Sequence, residues 1–223
     1  MKQEWSTLWS SKVYLSVWIS LLILVLFALK LVSLFLVFNE NRQDGYLIDD
    51  WLLNNLDPIN VSTPLFAITW ICIIGCLPIA LRTPKKAMIV FISILVIGVL
   101  RSISLYLFPL VPPDGIIPLR DTLLESSFYE NQVLVKDLFF SGHTANLALL
   151  AFLVDIKWLK YILGVCTFIV AFLLLKQHVH YTIDIIVAPF AAYAAYRLAK
   201  SAVNMMLNKI SIAEMPQNSM TTV

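Results

Sequence analysis

Long uninterrupted apolar runs, separated by short polar breaks, set the pattern of this chain. The first covers Val13–Phe38, and others follow at about 64–81, 87–108, 138–154, 157–175 and 181–199. Each is near the ~20 residues that a helix needs to cross a hydrocarbon core of ~30 Å. The pattern therefore predicts an all-α fold, an integral membrane bundle of six transmembrane helices. The first run is too long for a signal-peptide core and no small-residue cleavage site follows it, so it counts as a span. Lys30, inside that run, reads as a side chain that snorkels to a headgroup.

The polar breaks give the orientation. Residues 39–63 carry Glu40, Asp44, Asp49, Asp50 and Asp57, whereas the next connector is only Arg82–Lys86. The longest connector, roughly 109–137, holds Pro109, Pro112, Pro113 and Pro118 and then Asp121, Glu125 and Glu130. One side of the membrane receives Lys2, Lys12, Arg82, Lys85, Lys86, Lys157, Lys160, Arg197, Lys200 and Lys209. The other receives only Arg42, Arg120, Lys136 and Lys176. Short basic loops stay cytoplasmic, so both termini are expected inside. The acidic first loop, the proline-rich loop and the turn around His178 are expected outside, with Asp121 and Gln177 reachable there and Lys85 not. Residues 1–12 read as a cytoplasmic interfacial segment with Trp5 and Trp9, residues 13–200 as one six-helix domain, and residues 201–223 as a polar, disordered cytoplasmic tail.

Composition agrees with the runs. The chain is 60% hydrophobic and 13% charged, against about 25% charged residues in soluble proteins, and its mean hydropathy is +0.83. A net charge of +2 without a dense basic cluster speaks against nucleic acid as a partner. Cys72, Cys76 and Cys166 all lie inside apolar runs and read as small fillers.

Titratable groups at membrane depth are costly, which makes them functional candidates. Ser141-Gly142-His143 opens the fourth span and His180-Tyr181-Thr182-Ile183-Asp184 opens the sixth. Both spans run from outside to inside, so these two helix N-termini share the outer face, and Arg101 near the end of the third span reaches the same level. Free N–H groups and the helix dipole favour phosphate there. Ser141 suits an N-cap, Gly142 allows close approach to the backbone, and Arg101 offers a bidentate fork. His180 and Asp184 are four apart on one helix face, the spacing by which a carboxylate orients an imidazole as nucleophile or general base. His143, without an acid of its own, suits the proton donor and acceptor for the leaving and entering groups.

The segments Phe140-Ser141-Gly142-His143-Thr144 and His180-Tyr181-Thr182-Ile183-Asp184 resemble the two signature motifs of the sphingomyelin synthase family, within the type 2 phosphatidic acid phosphatase superfamily. Arg101 through Tyr106, followed by Pro112-Pro113, resembles that family's Arg-x-x-x-x-Tyr motif, and Asp137 matches the acidic position before Ser-Gly-His. The resemblance covers roughly residues 100–197. It implies transfer of a phospho-headgroup through a phosphohistidine, with His180 as nucleophile, Asp184 as its orienter and His143 as acid/base. The expected phosphate site comprises Arg101, Asp137, Ser141, Gly142 and Tyr106, with Lys136 added by this chain's own sequence. Val135-Lys136 replaces the family's Cys-Gly, and Leu173-Leu174 stands where the phosphatase branch has Ser-Arg. That leaves few arginines, so Lys136 or Lys176 is expected to assist Arg101.

The expected function is transfer of a phosphocholine- or phosphoethanolamine-like group to a lipid hydroxyl, with hydrolysis by the same centre as the alternative. The partners are then a phospholipid donor, a lipid acceptor such as ceramide or diacylglycerol, and the membrane, and a homo-oligomer is compatible with the pattern. No cofactor or metal is expected, because the Arg and Ser-Gly context suits phosphate better than zinc. A lipid transporter or scrambler is the other class considered. It would show inverted repeats and polar groups near the midplane, whereas here the polar residues gather at one face.

Overall fold

The computed structural model describes residues 5–6, 11–120 and 133–213, with side chains up to Lys209. Among these residues the chain forms α1 Lys12–Glu40, α2 Trp51–Asn54, α3 Ser62–Ala80, α4 Pro84–Leu107, α5 Gly142–Leu153, α6 Lys157–Lys176 and α7 Thr182–Ala213. Five helices, α1, α3, α4, α6 and α7, are long and apolar enough to cross a membrane, while α5 is a shorter apolar helix. The protein is thus a multi-pass membrane protein, all-helical among the described residues. Trp9, Asp121, Glu125, Glu130 and residues 214–223 of the expected tail lie outside the described residues.

Local chemistry sets the helix starts. The Ser11 hydroxyl accepts the Tyr14 N–H at 3.1 Å to cap α1. Thr83 caps α4 through the Lys86 N–H, with Pro84 at the first helical position. Ser141 caps α5 by accepting the Thr144 N–H at 3.4 Å, so the fourth apolar run, read from 138, becomes helical only at Gly142. The last helix does not end near residue 199. Ala188, Ala192, Ala195, Ala199 and Val203 are all buried, and this helical stripe carries α7 to Ala213, through residues 201–213 where the sequence predicts a disordered tail.

The short apolar helix α5 is the central one. α5 packs against α3, α4, α6 and α7, and α4 joins α7 on one side and α1 on the other. Leu147, Leu149 and Leu150 of α5 are buried in that core. α1 sits at the edge and turns Ile23, Leu26 and Phe27 outward, the face a bilayer covers.

Loops at the His180 end are joined by hydrogen bonds into a cap. Tyr46 N–H donates to Pro109 O at 2.9 Å and Val111 N–H donates to Tyr46 O at 3.1 Å, tying the first loop to the proline-rich one. Gln177 accepts the Val61 N–H at 3.1 Å and donates to Ser62 Oγ at 2.9 Å and Ile117 O at 3.0 Å. Gln177 is fully buried, contrary to its reading as a reachable turn residue, because its amide bonds two segments, 61–62 and 117, at once. His178 has φ of 57°, in the left-handed region. Its ring is clamped there between Asp114 O and Leu56 O, each at 2.8 Å.

Candidate active site

The start of α7 organises the site. Asp184 Oδ2 accepts the Tyr181 N–H at 3.0 Å and lies 3.3 Å from His180 Nδ1. Both side chains are buried. An ionised Asp184 carboxylate only accepts, so it pairs with the His180 tautomer that carries its proton on Nδ1 and keeps the Nε2 lone pair available. The start of α5 is fixed to the same turn, since Ser141 N–H donates to Asp184 O at 3.2 Å. That backbone bond brings the two sequence motifs into one structure.

Arg101 completes it. Its Nε donates to Phe140 O at 3.1 Å and its guanidinium forms an ion pair with Asp137. The guanidinium lies directly against Gly142, where an added Cβ would stand 2.8 Å from Arg101 Cζ. An added Cβ would push the guanidinium aside, so the glycine leaves room for the cation where it now lies. A cavity of about 240 Å³ joins these groups, lined by Arg101, Asp137, Gly142, His143 and His180 together with apolar Phe66, Trp70 and Leu119. The His143 ring meets the edge of Phe66, with centroids 6.1 Å apart.

The other expected residues are placed differently. Ser141 is buried, and its hydroxyl serves as the α5 cap. Asp137 lines the cavity, but its carboxylate engages Arg101 and would repel a phosphate, so it positions the cation. Lys136 is outside the cavity lining. Its ammonium donates to Arg42 O, and Glu40 accepts the Val135 and Lys136 N–H groups at 2.9 Å each. Tyr106 is exposed, with the Arg42 guanidinium 5.4 Å above its ring. Lys176 is likewise outside the cavity lining. Arg101 is thus the one cation lining the cavity among the described residues. Among these residues no group of three His, Cys, Asp or Glu is placed to hold a metal ion.

Two features escaped the sequence reading. Phe66 and Trp70, one turn apart on α3, wall the cavity, yet in sequence they look like any lipid-facing aromatics. Asp50 caps α2 through the Leu52 N–H at 3.0 Å and also accepts the Thr182 N–H at 2.6 Å and the Thr182 hydroxyl at 2.9 Å. Burial opposes its ionisation, but hydrogen bonds from Thr182, Leu53 and Leu52 outweigh it and hold the carboxyl below its ordinary value. An Asp ahead of Trp51-Leu52-Leu53 signals a cap; nothing local signals the second helix it holds.

A buried His/Asp pair, a second His and a paired Arg thus meet at one cavity of a multi-pass membrane protein. Residues 136–201, which contain both motifs, match the family model described as PAP2 superfamily C-terminal. The match supports the type 2 phosphatidic acid phosphatase superfamily, whose members are generally phosphatases or phosphotransferases. No curated protein matches the chain.

Proposed function

We propose that this protein is a sphingomyelin synthase-like phosphotransferase, moving a phosphocholine- or phosphoethanolamine-like headgroup from a phospholipid to the hydroxyl of ceramide or diacylglycerol. The observation that carries the reading is the buried His180–Asp184 pair at the wall of a cavity shared with His143 and Arg101. His180 Nε2 attacks phosphorus and an N–P bond forms while the bond to the diacylglycerol oxygen breaks. His143 gives that oxygen its proton. The acceptor hydroxyl then attacks phosphorus, His143 takes its proton, and the N–P bond breaks, restoring both imidazoles. Asp184 stabilises the charge that develops on His180, and Arg101 faces the phosphoryl oxygens.

Transfer is favoured over hydrolysis by the apolar wall of Phe66, Trp70 and Ile73 on α3. That wall suits acyl chains and excludes water from the intermediate. In this reading the chain crosses the membrane six times with both termini cytoplasmic and the cavity at the outer face. α5 is the fourth crossing. Its 12 residues rise only ~18 Å, and the flanking segments at 138–141 and 154–156 complete the span.

The test is to give the purified protein a phospholipid donor with and without ceramide or diacylglycerol, and to measure new phospholipid against free headgroup phosphate. New phospholipid should dominate at saturating acceptor. Dominant free headgroup phosphate under those conditions would replace transfer by hydrolysis.

A further inference from the structure

A second, larger recess lies on a different face of α5. α6 and α7 each pack on α5 and diverge from one another, leaving a groove of about 1190 Å³ floored by Ala148 and Ala151. It shares no lining residue with the His180 cavity. His143 and Asn146 of α5 point to the cavity, while Thr144, Ala148 and Ala151 point to the groove. From Thr182 to Tyr196, both in its lining, it extends ~21 Å along α7 at 1.5 Å per residue. Gly164 of α6 keeps one wall open, with nothing within 4 Å of an added Cβ.

The end of the groove remote from His180 is basic. Lys157 and Lys160, both exposed, stand there on the first turn of α6 beside Tyr161. Ile156, the N-cap, supplies no side-chain bond to that turn. Across the groove, Arg197 and Lys200 lie 5.7 Å over the rings of Tyr193 and Tyr196, both of which line it. Within the described segments 154–161 and 193–209 the single acid is Asp155, and Lys86 engages it. Four cations thus surround the mouth of an apolar groove at an aromatic belt.

We infer that this groove is a binding site for one anionic phospholipid, held from the leaflet opposite the His180 cavity. Its acyl chain lies on the small-residue floor of α5, and its phosphate meets Lys157, Lys160 and the uncapped first turn of α6. An apolar groove within a bilayer has no water to fill it and takes a lipid chain instead, while a basic rim between helices selects an anionic headgroup. The site is separate from the phosphotransfer reading, and its occupancy is measured without turnover.

The test uses native mass spectrometry of the purified full-length protein, titrated with phosphatidylglycerol and phosphatidylcholine of identical chains. The wild type should retain phosphatidylglycerol with a preference of roughly tenfold or more, since each basic residue near the surface adds measurably to anionic-lipid binding. Lys157→Ala/Lys160→Ala should bring the two lipids near parity. Gly164→Leu, which fills the groove without a backbone clash, should reduce retention of both. Equal retention by the wild type, or an undiminished preference in the double variant, would overturn the site. So would a Gly164→Leu variant that keeps its lipid, which would show that the groove does not hold it.

Discussion

At the scale of single residues, the site turns on one cation and the space made for it. Arg101 reads in the sequence as a candidate phosphate ligand, because it stands near a helix end at the level of the two motifs. Its pairing with Asp137 and its contact with Gly142 are not legible there, because they join positions far apart in the chain. Lys136 shows the same limit from the other side. In sequence it neighbours Asp137, but Glu40 and Arg42 hold its backbone and ammonium at the end of α1. Gly142→Ala should displace the guanidinium at a cost of about 2 kcal/mol, the range for a hydrogen bond to a charged group. The expected result is a fall of roughly 30-fold in kcat/KM with little change in melting temperature. Unchanged steady-state kinetics would mean that Arg101 does not touch the reacting phosphate.

At the scale of elements, run length alone revealed the helices, because the bilayer imposes a fixed crossing length on each. Their ends depend on finer signals. The Ser141 hydroxyl set the start of α5, and the stripe continuing through Ala199 and Val203 carried α7 past its expected end. The hold of Asp50 on the α7 start was illegible, since one carboxylate caps a nearby helix and a distant one. Asp50→Ala should lower stability by about 1–2 kcal/mol, as the loss of a cap does, and should loosen the turn that presents His180. The folded-state pKa of Asp50 is depressed. Its stabilisation is therefore present above the ordinary value of about 3.9 and lost as pH falls through the folded value. Thermal unfolding in detergent should show wild type and Asp50→Ala converging as the medium is acidified below that value. A gap that stays constant with pH would contradict the role.

At the scale of the whole molecule, sidedness decides which leaflet supplies the substrate. From the Lys/Arg count the His180 end is expected outside, and the structure identifies residues that can report it. Asp57 and Lys85 are exposed at opposite ends of the bundle, whereas Gln177 is buried. In a chain whose native Cys72, Cys76 and Cys166 are replaced, Asp57→Cys should react with impermeant maleimide in intact cells and Lys85→Cys only after lysis. The reverse pattern would move the cavity to the cytoplasmic face. The most direct test of the central claim asks where the phosphorus goes. Purified protein given a phospholipid labelled in its headgroup phosphate, then quenched in alkali, should carry an acid-labile, alkali-stable adduct that maps to His180. His180→Ala should lack both adduct and turnover while eluting from gel filtration as the wild type does. Full turnover in His180→Ala, or an adduct on another residue, would contradict transfer through His180.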